Sequence, residues 1–229
     1  MFKISNKKCF KKVAKQSSKI ANQSFGSLNH YDNRINKRVI KVVKSLCKSP
    51  DTTFSQAFNT KAERKGAYRL LSNDTLKPEK MIDSIVKGSF KELNKLKPEQ
   101  VILVQDTSVI STKDFDDVGL VGPEGTSGFF FHSTICLSSE GIPLNLVGMK
   151  IFTREKIKQS SKYSWRYTPF EKKESYRWVE AINNIVPKLP DKTRPIFVTD
   201  RESDIHEYFQ SLINSNASFV VRHSHNRRV

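Results

Sequence analysis

Residues 101–110 read VILVQDTSVI, and this apolar, β-branched run marks the point where the character of the chain changes. A run of this length and composition is typical of a buried β-strand. Two similar runs follow, FFFHSTICLS at 129–138 and PLNLVGMKIF at 143–152. The three runs predict that a β-sheet begins near residue 100.

The segment after these three runs predicts an alternation of helices and strands. Apolar residues recur on one side of 170–186, which indicates a helix, and PIFVTD at 195–200 indicates a short strand. Residues 203–214 predict a helix capped by a serine, and SFVVRH at 218–223 predicts a further strand. The order β-β-β-α-β-α-β predicts an α/β fold, with a mixed sheet and flanking helices over residues 100–229.

The segment before residue 100 predicts only helices. The spacing of its apolar residues indicates helices at 1–24, 32–48, 54–58, 61–71 and 77–96. Within 32–48 the apolar positions leave the basic side chains largely on the opposite side of the helix. Residues 1–99 are therefore predicted to form an all-helical domain with a cationic face.

The net charge of +17 is distributed unevenly along the chain. Residues 1–50 contain 13 Lys or Arg against one acid, Asp32, whereas residues 101–150 contain two bases and six acids. A basic domain followed by an acidic segment fits a phosphate-binding module beside a site that gathers carboxylates. The alternative explanation is that lysine-rich usage follows from an AT-rich genome.

The composition excludes several classes of protein. Hydrophobic residues make up 37% and charged residues 28%, which is typical of a globular rather than a disordered chain. No apolar run approaches the roughly 20 residues of a membrane span, and the basic N-terminus lacks the apolar segment of a secretory signal. We therefore predict a cytoplasmic protein. The wide spacing of Cys9, Cys47 and Cys136 argues against a disulfide framework and a structural zinc site.

Two aspartates, Asp106 and Asp200, lie at or near the ends of predicted apolar strands. Side chains at such positions face a crevice at the edge of a sheet. Two carboxylates on neighbouring strands can hold Mg²⁺ for phosphodiester cleavage. The alternative for each aspartate is that it only caps the following turn or helix.

Four separated motifs occur in a fixed order along the chain: KGAYRLLSN at 65–73, DTSVIS at 106–111, TDRESDIHEYF at 199–209 and FVVRH at 219–223. Together they resemble transposases of the IS-four insertion-sequence family, in its Tn-five-like branch, and the resemblance extends over essentially the whole chain. It implies that the predicted sheet is the ribonuclease-H-like fold of DDE transposases. It also implies cut-and-paste DNA chemistry.

The resemblance implies roles for particular residues. Asp106 and Asp200 correspond to the first two catalytic, metal-binding aspartates, which in a complete enzyme hold two Mg²⁺ ions, with Mn²⁺ as a substitute. The residues that fall where the family contacts DNA are Arg38, Lys48, Arg69 and Arg222. The partners implied are double-stranded DNA at transposon ends, target DNA and, in the complete enzyme, a second copy of the chain.

The family's third metal ligand is a glutamate in a Tyr, Arg, Glu, Lys pattern that lies beyond the last predicted strand. We therefore expect a truncated catalytic domain, with one apolar sheet face exposed and no full activity alone. One alternative is a non-catalytic DNA-binding protein that occupies transposon ends or inhibits an intact relative. Another is a general ribonuclease-H-like nuclease.

Three further residues invite a functional interpretation. His132 lies in the apolar run FFFHSTICL, where a buried histidine with satisfied hydrogen bonds is more common than a catalytic one. His206 is expected to pack or to face solvent. For Arg69, the alternative to a DNA contact is an ion pair with an acid such as Glu63.

Overall fold

The computed structural model describes residues 6–112, 118–122, 126–154 and 167–224. The chain divides into two compact units, Met1–Glu92 and Leu93–Val229. We describe each unit by itself. No helix in the described ranges is both long enough and apolar enough to span a membrane.

The first unit is helical. Its helices are α1 (Asn6–Phe25), α2 (Asn33–Lys48), α3 (Lys61–Leu71) and α4 (Pro78–Leu96), and the division between the units falls within α4. These bounds confirm four of the five predicted helices to within a few residues, and the first five residues of the helix predicted at 1–24 lie outside the described residues. The helix bounds do not test the predicted domain boundary after residue 99, which stays a prediction.

Local side-chain hydrogen bonds set where two of these helices begin. The Asp32 carboxylate accepts the Arg34 backbone N–H at the start of α2. The Thr60 hydroxyl accepts the Glu63 backbone N–H at the start of α3, at 3.1 Å. Ser, Thr and Asp are preferred at this position because they satisfy backbone donors that have no partner within the helix.

The predicted helix at 54–58 is wrong, because that segment forms turns. The Gln56 side chain accepts hydrogen bonds from both the backbone N–H and the hydroxyl of Thr53. Such local side-chain bonds compete with helix formation. The apolar spacing of the segment instead allows Phe54 and Phe58 to pack edge to face, with ring centroids 5.2 Å apart.

One hydrophobic core holds the helical unit together. Its buried members come from α1, α2, α3 and the segments between them: Phe25, Leu28, Val39, Val42, Ala57, Phe58, Ala67 and Leu70. Helix α4 also approaches α1 closely, since a Cβ on Gly88 would lie 1.9 Å from the Gln23 carbonyl oxygen. The core explains why the basic side chains of α2 and α3 face away from the centre of the unit.

The second unit is built on a mixed five-stranded sheet. Its elements are β1 (Gln100–Ser111), β2 (Gly128–Leu137), β3 (Pro143–Phe152), α5 (Tyr176–Ile185), β4 (Arg194–Thr199), α6 (His206–Asn214) and β5 (Ser218–Val221). The strand order is β3-β2-β1-β4-β5. Strands β1, β2 and β3 pair antiparallel, whereas β4 and β5 are parallel to β1. The predicted α/β fold with a mixed sheet and flanking helices is confirmed.

Both α5 and α6 pack on the same face of this sheet. On α6, the buried Tyr208 hydroxyl donates to Gln105 Oε1 of β1 at 2.5 Å. On α5, the Ile185 side chain packs beside Gly148 of β3, where a Cβ would lie only 3.1 Å away. We call this side the covered face.

The opposite side, which we call the open face, carries apolar side chains in contact with solvent. The strand register places four of them there with 41–62% exposure: Ile110, Ile135, Ile151 and Val220. This exposure agrees with the expectation of an uncovered apolar sheet face.

Two predicted helix starts in the second unit differ from the structure. Helix α5 begins at Tyr176, after a separate 3-10 turn at Phe170–Lys172. Helix α6 begins at His206, and Ser203 is not its cap. Ser203 instead lies buried in a 3-10 turn, where its hydroxyl contacts the Thr199 hydroxyl at 2.6 Å and donates to the Asp200 carbonyl oxygen.

Candidate functional site

Helix α2 presents a stripe of basic side chains. Its members are spaced by three, four or seven residues, which places them on one side of the helix, and all are exposed: Arg34, Arg38, Lys41 and Lys48. Arg34 is held by Asp32, with Nη2 and Oδ2 2.9 Å apart, and this hydrogen bond lowers the pKa of the Asp32 carboxyl. The predicted residues Arg38 and Lys48 therefore belong to one surface.

The guanidinium of Arg38 also packs against Gly66 of α3, which has no side chain in its way. A Cβ on Gly66 would lie 1.9 Å from Arg38 Nη1, so only glycine leaves room for the guanidinium in this position. Arg69 follows Gly66 by three residues and is exposed, whereas Gly66 is buried.

Glu63 pairs with Lys41 of α2 and not with Arg69. The distance from Lys41 Nζ to Glu63 Oε1 is 3.1 Å, and the hydrogen bond from Lys41 lowers the pKa of the Glu63 carboxyl. The alternative interpretation of Arg69, an ion pair with Glu63, is therefore wrong. Within the described residues, Arg69 has no ion-pair partner.

The outward side of α3 contains more cations than the sequence analysis singled out. Four basic side chains are exposed there, and the described part of the chain gives none of them an ion-pair partner: Lys61, Arg64, Lys65 and Arg69. The buried residues of α3 are Gly66, Ala67 and Leu70, so the helix turns a small apolar side inward. The spacing of these three residues is the sequence signal that would have identified Lys61, Arg64 and Lys65.

In the sheet unit, Asp106 lies within β1 and not at its end. Strand β1 continues to Ser111 in its pairing with β2, but its ladder with β4 ends at Val104. Asp106 is exposed, and its Oδ2 accepts a hydrogen bond from Ser108 Oγ at 3.2 Å. Asp106 therefore lies near the end of the ladder that β1 forms with β4, but in the middle of the ladder that β1 forms with β2.

Asp200 follows the last residue of β4 directly. It is exposed, and its Oδ1 accepts the Glu202 backbone N–H at 3.0 Å, which caps a short 3-10 turn, Arg201–Ser203. The alternative interpretation, a capping aspartate, is correct as far as this one oxygen is concerned. The other carboxylate oxygen makes no hydrogen bond to a described residue.

Three predicted residues lie just beyond the carboxyl ends of the paired strands, and we call them the row: Asp106, Asp200 and Arg222. The last residue of β1 that pairs with β4 is Val104, opposite Val198, and the last residue of β4 that pairs with β5 is Thr199, opposite Val221. Asp106 follows Val104 by two residues, so its side chain lies on the open face as that of Val104 does. Asp200 and Arg222 directly follow their ladder, and the backbone N–H of Arg222 donates to the Thr199 carbonyl oxygen at 3.2 Å, which holds Arg222 beside the end of β4.

A buried arginine lies under this row, on the covered face. The side chain of Arg177 is 8% exposed, and its guanidinium contacts both segments that carry the aspartates. Its Nε donates to Thr107 Oγ1 at 3.1 Å and its Nη2 to Glu202 Oε2 at 2.5 Å. Arg177 was not among the residues predicted from the sequence. Its position beside Trp178 on the apolar side of α5 was the available signal.

His132 is buried, as expected, but only one of its ring nitrogens has a partner. Nδ1 lies 3.0 Å from Thr107 Oγ1, whereas Nε2 has no hydrogen-bond partner among the described residues. Burial first, and then the charges of Arg177 and Lys150, lower the pKa of His132 to about 3. The imidazole is therefore neutral near pH 7. His206, in contrast, is exposed.

The donor atoms in the row suit a hard divalent cation. Asp106 and Asp200 each offer a carboxylate oxygen that no described residue engages, and Mg²⁺ prefers oxygen ligands. Two carboxylates are all that these residues provide, because no group of three or more His, Cys, Asp or Glu side chains in the described ranges could hold a metal ion.

A comparison with known protein families gives a match within the helical unit. Residues 17–76 match the family model for transposase DNA-binding. The matched range contains α2, α3 and residues 17–25 of α1, and it includes the basic stripe of α2 and the outward cations of α3. Over residues 17–76, the helical unit is therefore similar to the DNA-binding domain of transposases.

Proposed function

We propose that this chain is a transposase of the IS-four type, in its Tn-five-like branch, acting on the ends of an insertion-sequence element. The helical unit binds the element ends, and the sheet unit is a ribonuclease-H-like domain with Asp106 and Asp200 as catalytic carboxylates. The observation that carries the catalytic part is that the parallel strands β1 and β4 are paired up to Val104 and Val198, each two residues before one of the aspartates. The strand order β3-β2-β1-β4-β5 supports the same fold.

The DNA-binding part of the proposal is supported by the matched domain and by its charge. Basic side chains on one surface neutralise phosphates and release counterions, which gives most of the affinity of a protein for duplex DNA. Arg38 and Lys48 lie on the basic stripe of α2, and Arg69 is exposed on α3. Arg222 lies in the sheet unit beside Asp200, where a cation would hold a phosphate close to the carboxylates.

Asp106 and Asp200 would hold Mg²⁺ or Mn²⁺ through their free oxygens. When bound, such ions activate water and stabilise the leaving oxygen in phosphodiester cleavage. The residues of the chain contribute position. Ser108 holds one oxygen of Asp106, and the Glu202 backbone holds one oxygen of Asp200, so each carboxylate presents its remaining oxygen in a defined direction.

The test compares the full chain with Asp106→Asn and with a control, Asp191→Asn. Asp191 is an exposed acid outside the row. We expect both variants to bind duplexes that carry an element end as the unchanged chain does. Mg²⁺- or Mn²⁺-dependent nicking of those duplexes should be lost in Asp106→Asn and retained in Asp191→Asn. Equal nicking by Asp106→Asn would refute the catalytic assignment.

A second candidate function is a non-catalytic protein that occupies element ends. It is favoured by the observation that the described residues assemble two carboxylates and not three. This candidate predicts end binding without nicking in the unchanged chain as well as in Asp106→Asn. Nicking of random duplexes as fast as of element ends would instead indicate a general nuclease.

A further inference from the structure

The buried guanidinium of Arg177 connects two parts of the chain that are far apart in sequence. Besides Thr107 and Glu202, it contacts the turn that precedes its own helix, where Nη1 donates to the Glu174 carbonyl oxygen at 2.8 Å. It also lies over the ring of Phe152 in β3, 5.6 Å from the centroid. A charged side chain that is 8% exposed is stable only with such a set of partners.

The two outer contacts of this guanidinium flank the two proposed catalytic aspartates. Thr107 is the neighbour of Asp106 in β1, and Glu202 follows Asp200 by two residues in the 3-10 turn. Thr107 points to the covered face because side chains alternate along a strand. Arg177 therefore acts from beneath the sheet and does not compete for the open face.

We infer that Arg177 is a positioning residue that fixes the turn carrying Asp200 relative to the strand carrying Asp106. This inference rests on the proposed catalytic role of the two aspartates. The turn is only three residues long, and Glu202 is its anchor to the covered face. Strand β1 has already left its ladder with β4 at this point, so the backbone pairing does not set the spacing.

The chemistry of arginine suits this task. Its guanidinium is planar and rigid and carries donors that point in different directions, so one side chain holds Thr107 and Glu202 at a fixed separation. A lysine ammonium on a flexible chain cannot do the same. Residues that orient metal ligands in this way typically change metal affinity by roughly 10- to 100-fold when they are altered.

The test uses two matched pairs of variants in the full chain. Arg177→Met is compared with Arg154→Met, because Arg154 also pairs with Glu174 and lies over an aromatic ring, yet its hydrogen bonds to described residues go only to Glu174 and Val121 and to neither aspartate segment. Thr107→Val is compared with Thr107→Ser, which keeps the hydroxyl that accepts from Arg177. The second pair keeps the test valid if Arg177→Met fails to fold.

The readouts are Mn²⁺ affinity by calorimetric titration, the thermal midpoint, and hydrogen exchange of the backbone at 198–208. We expect Arg177→Met and Thr107→Val to weaken Mn²⁺ binding by at least about 10-fold, and to speed exchange at 198–208. Arg154→Met and Thr107→Ser should stay within about twofold of the unchanged chain. Restoration by serine is a result that a general loss of stability would not produce.

Asp106→Asn separates this inference from the proposed function. If Asp106→Asn loses Mn²⁺ binding while Arg177→Met and Thr107→Val keep it, the proposed site stands and the positioning role is overturned. If Asp106→Asn binds Mn²⁺ normally, the proposed metal site is wrong. Exchange at 198–208 then decides alone: faster exchange in Arg177→Met than in Arg154→Met supports the positioning role, and equal exchange overturns it.

Discussion

Replacing the four outward cations of α3 by glutamine should change the salt dependence of DNA binding by a calculable amount. These residues, Lys61, Arg64, Lys65 and Arg69, are exposed and have no ion-pair partner in the described part of the chain. Each is therefore available to neutralise one phosphate. Glutamine retains good helix propensity, so α3 should remain folded.

The expected magnitude follows from counterion release. Each phosphate contact contributes about 0.9 to the slope of log affinity against log salt concentration, so four contacts contribute about 3.6. Between 50 and 200 mM salt, a slope of that size corresponds to a loss of affinity of roughly 150-fold. The quadruple variant should lack this part of the salt dependence and bind weakly at all salt concentrations.

The assay is fluorescence anisotropy of a labelled duplex that carries an element end, titrated at several KCl concentrations. The matched control removes the same charge from four exposed cations of the sheet unit, replaced by glutamine: Lys97, Lys172, Lys192 and Arg194. We expect the control to change the slope by much less. If both quadruple variants reduced the slope equally, the charge of the whole chain and not the surface of α3 would determine binding.

Four further predictions concern single residues. Gly88→Ala should lower the thermal midpoint, because its Cβ would meet a backbone oxygen, by an amount equivalent to about 1–3 kcal/mol. Gly66→Ala meets only a flexible side-chain end, so it should leave the thermal midpoint unchanged or raised while it weakens DNA binding by displacing Arg38. Tyr208→Phe would leave the buried Gln105 oxygen without its donor, and urea unfolding should show a loss of about 1–3 kcal/mol. His132 has a folded pKa of about 3, below its unfolded value, so the unfolded chain binds the extra proton between these values. Stability should therefore be complete above pH 6.5 and fall as the pH decreases towards 3, by up to about 1.4 kcal/mol per pH unit, in urea titrations where His132→Asn lacks this component.

The elements that could be predicted from sequence are those whose signal is local. The apolar run at 143–152 coincides with β3, and the runs at 101–110 and 129–138 lie within one residue of β1 and β2. The spacing of apolar residues that distinguishes a strand from a helix is a property of residues close together in the sequence. The segment at 54–58 shows the limit, because two hydrogen bonds from Thr53 to the Gln56 side chain compete with helix formation there.

The relations that could not be predicted are those between distant segments. The pairing of β1 with β4 joins residues that are more than 90 positions apart, and it brings together the strand segments that Asp106 and Asp200 follow. The contacts of Arg177 span 70 positions to Thr107 and 25 to Glu202. From sequence alone an arginine is expected at the surface, because its charge is buried only where it has partners. Those partners lie in distant segments, and no local pattern reveals them.

The two faces of the sheet divide the proposed catalytic work between them. The covered face is rigid, because α5 and α6 bury Arg177, His132 and Tyr208 against it. The open face carries Asp106 and Asp200 in contact with solvent, which a carboxylate needs if it is to remain charged and to meet a large substrate. Since neighbouring residues of one strand point to opposite faces, Thr107 connects the rigid face to Asp106 over a single residue. The sheet can therefore hold the backbone at Asp106 through a contact on the covered face and leave the carboxylate itself accessible on the open face.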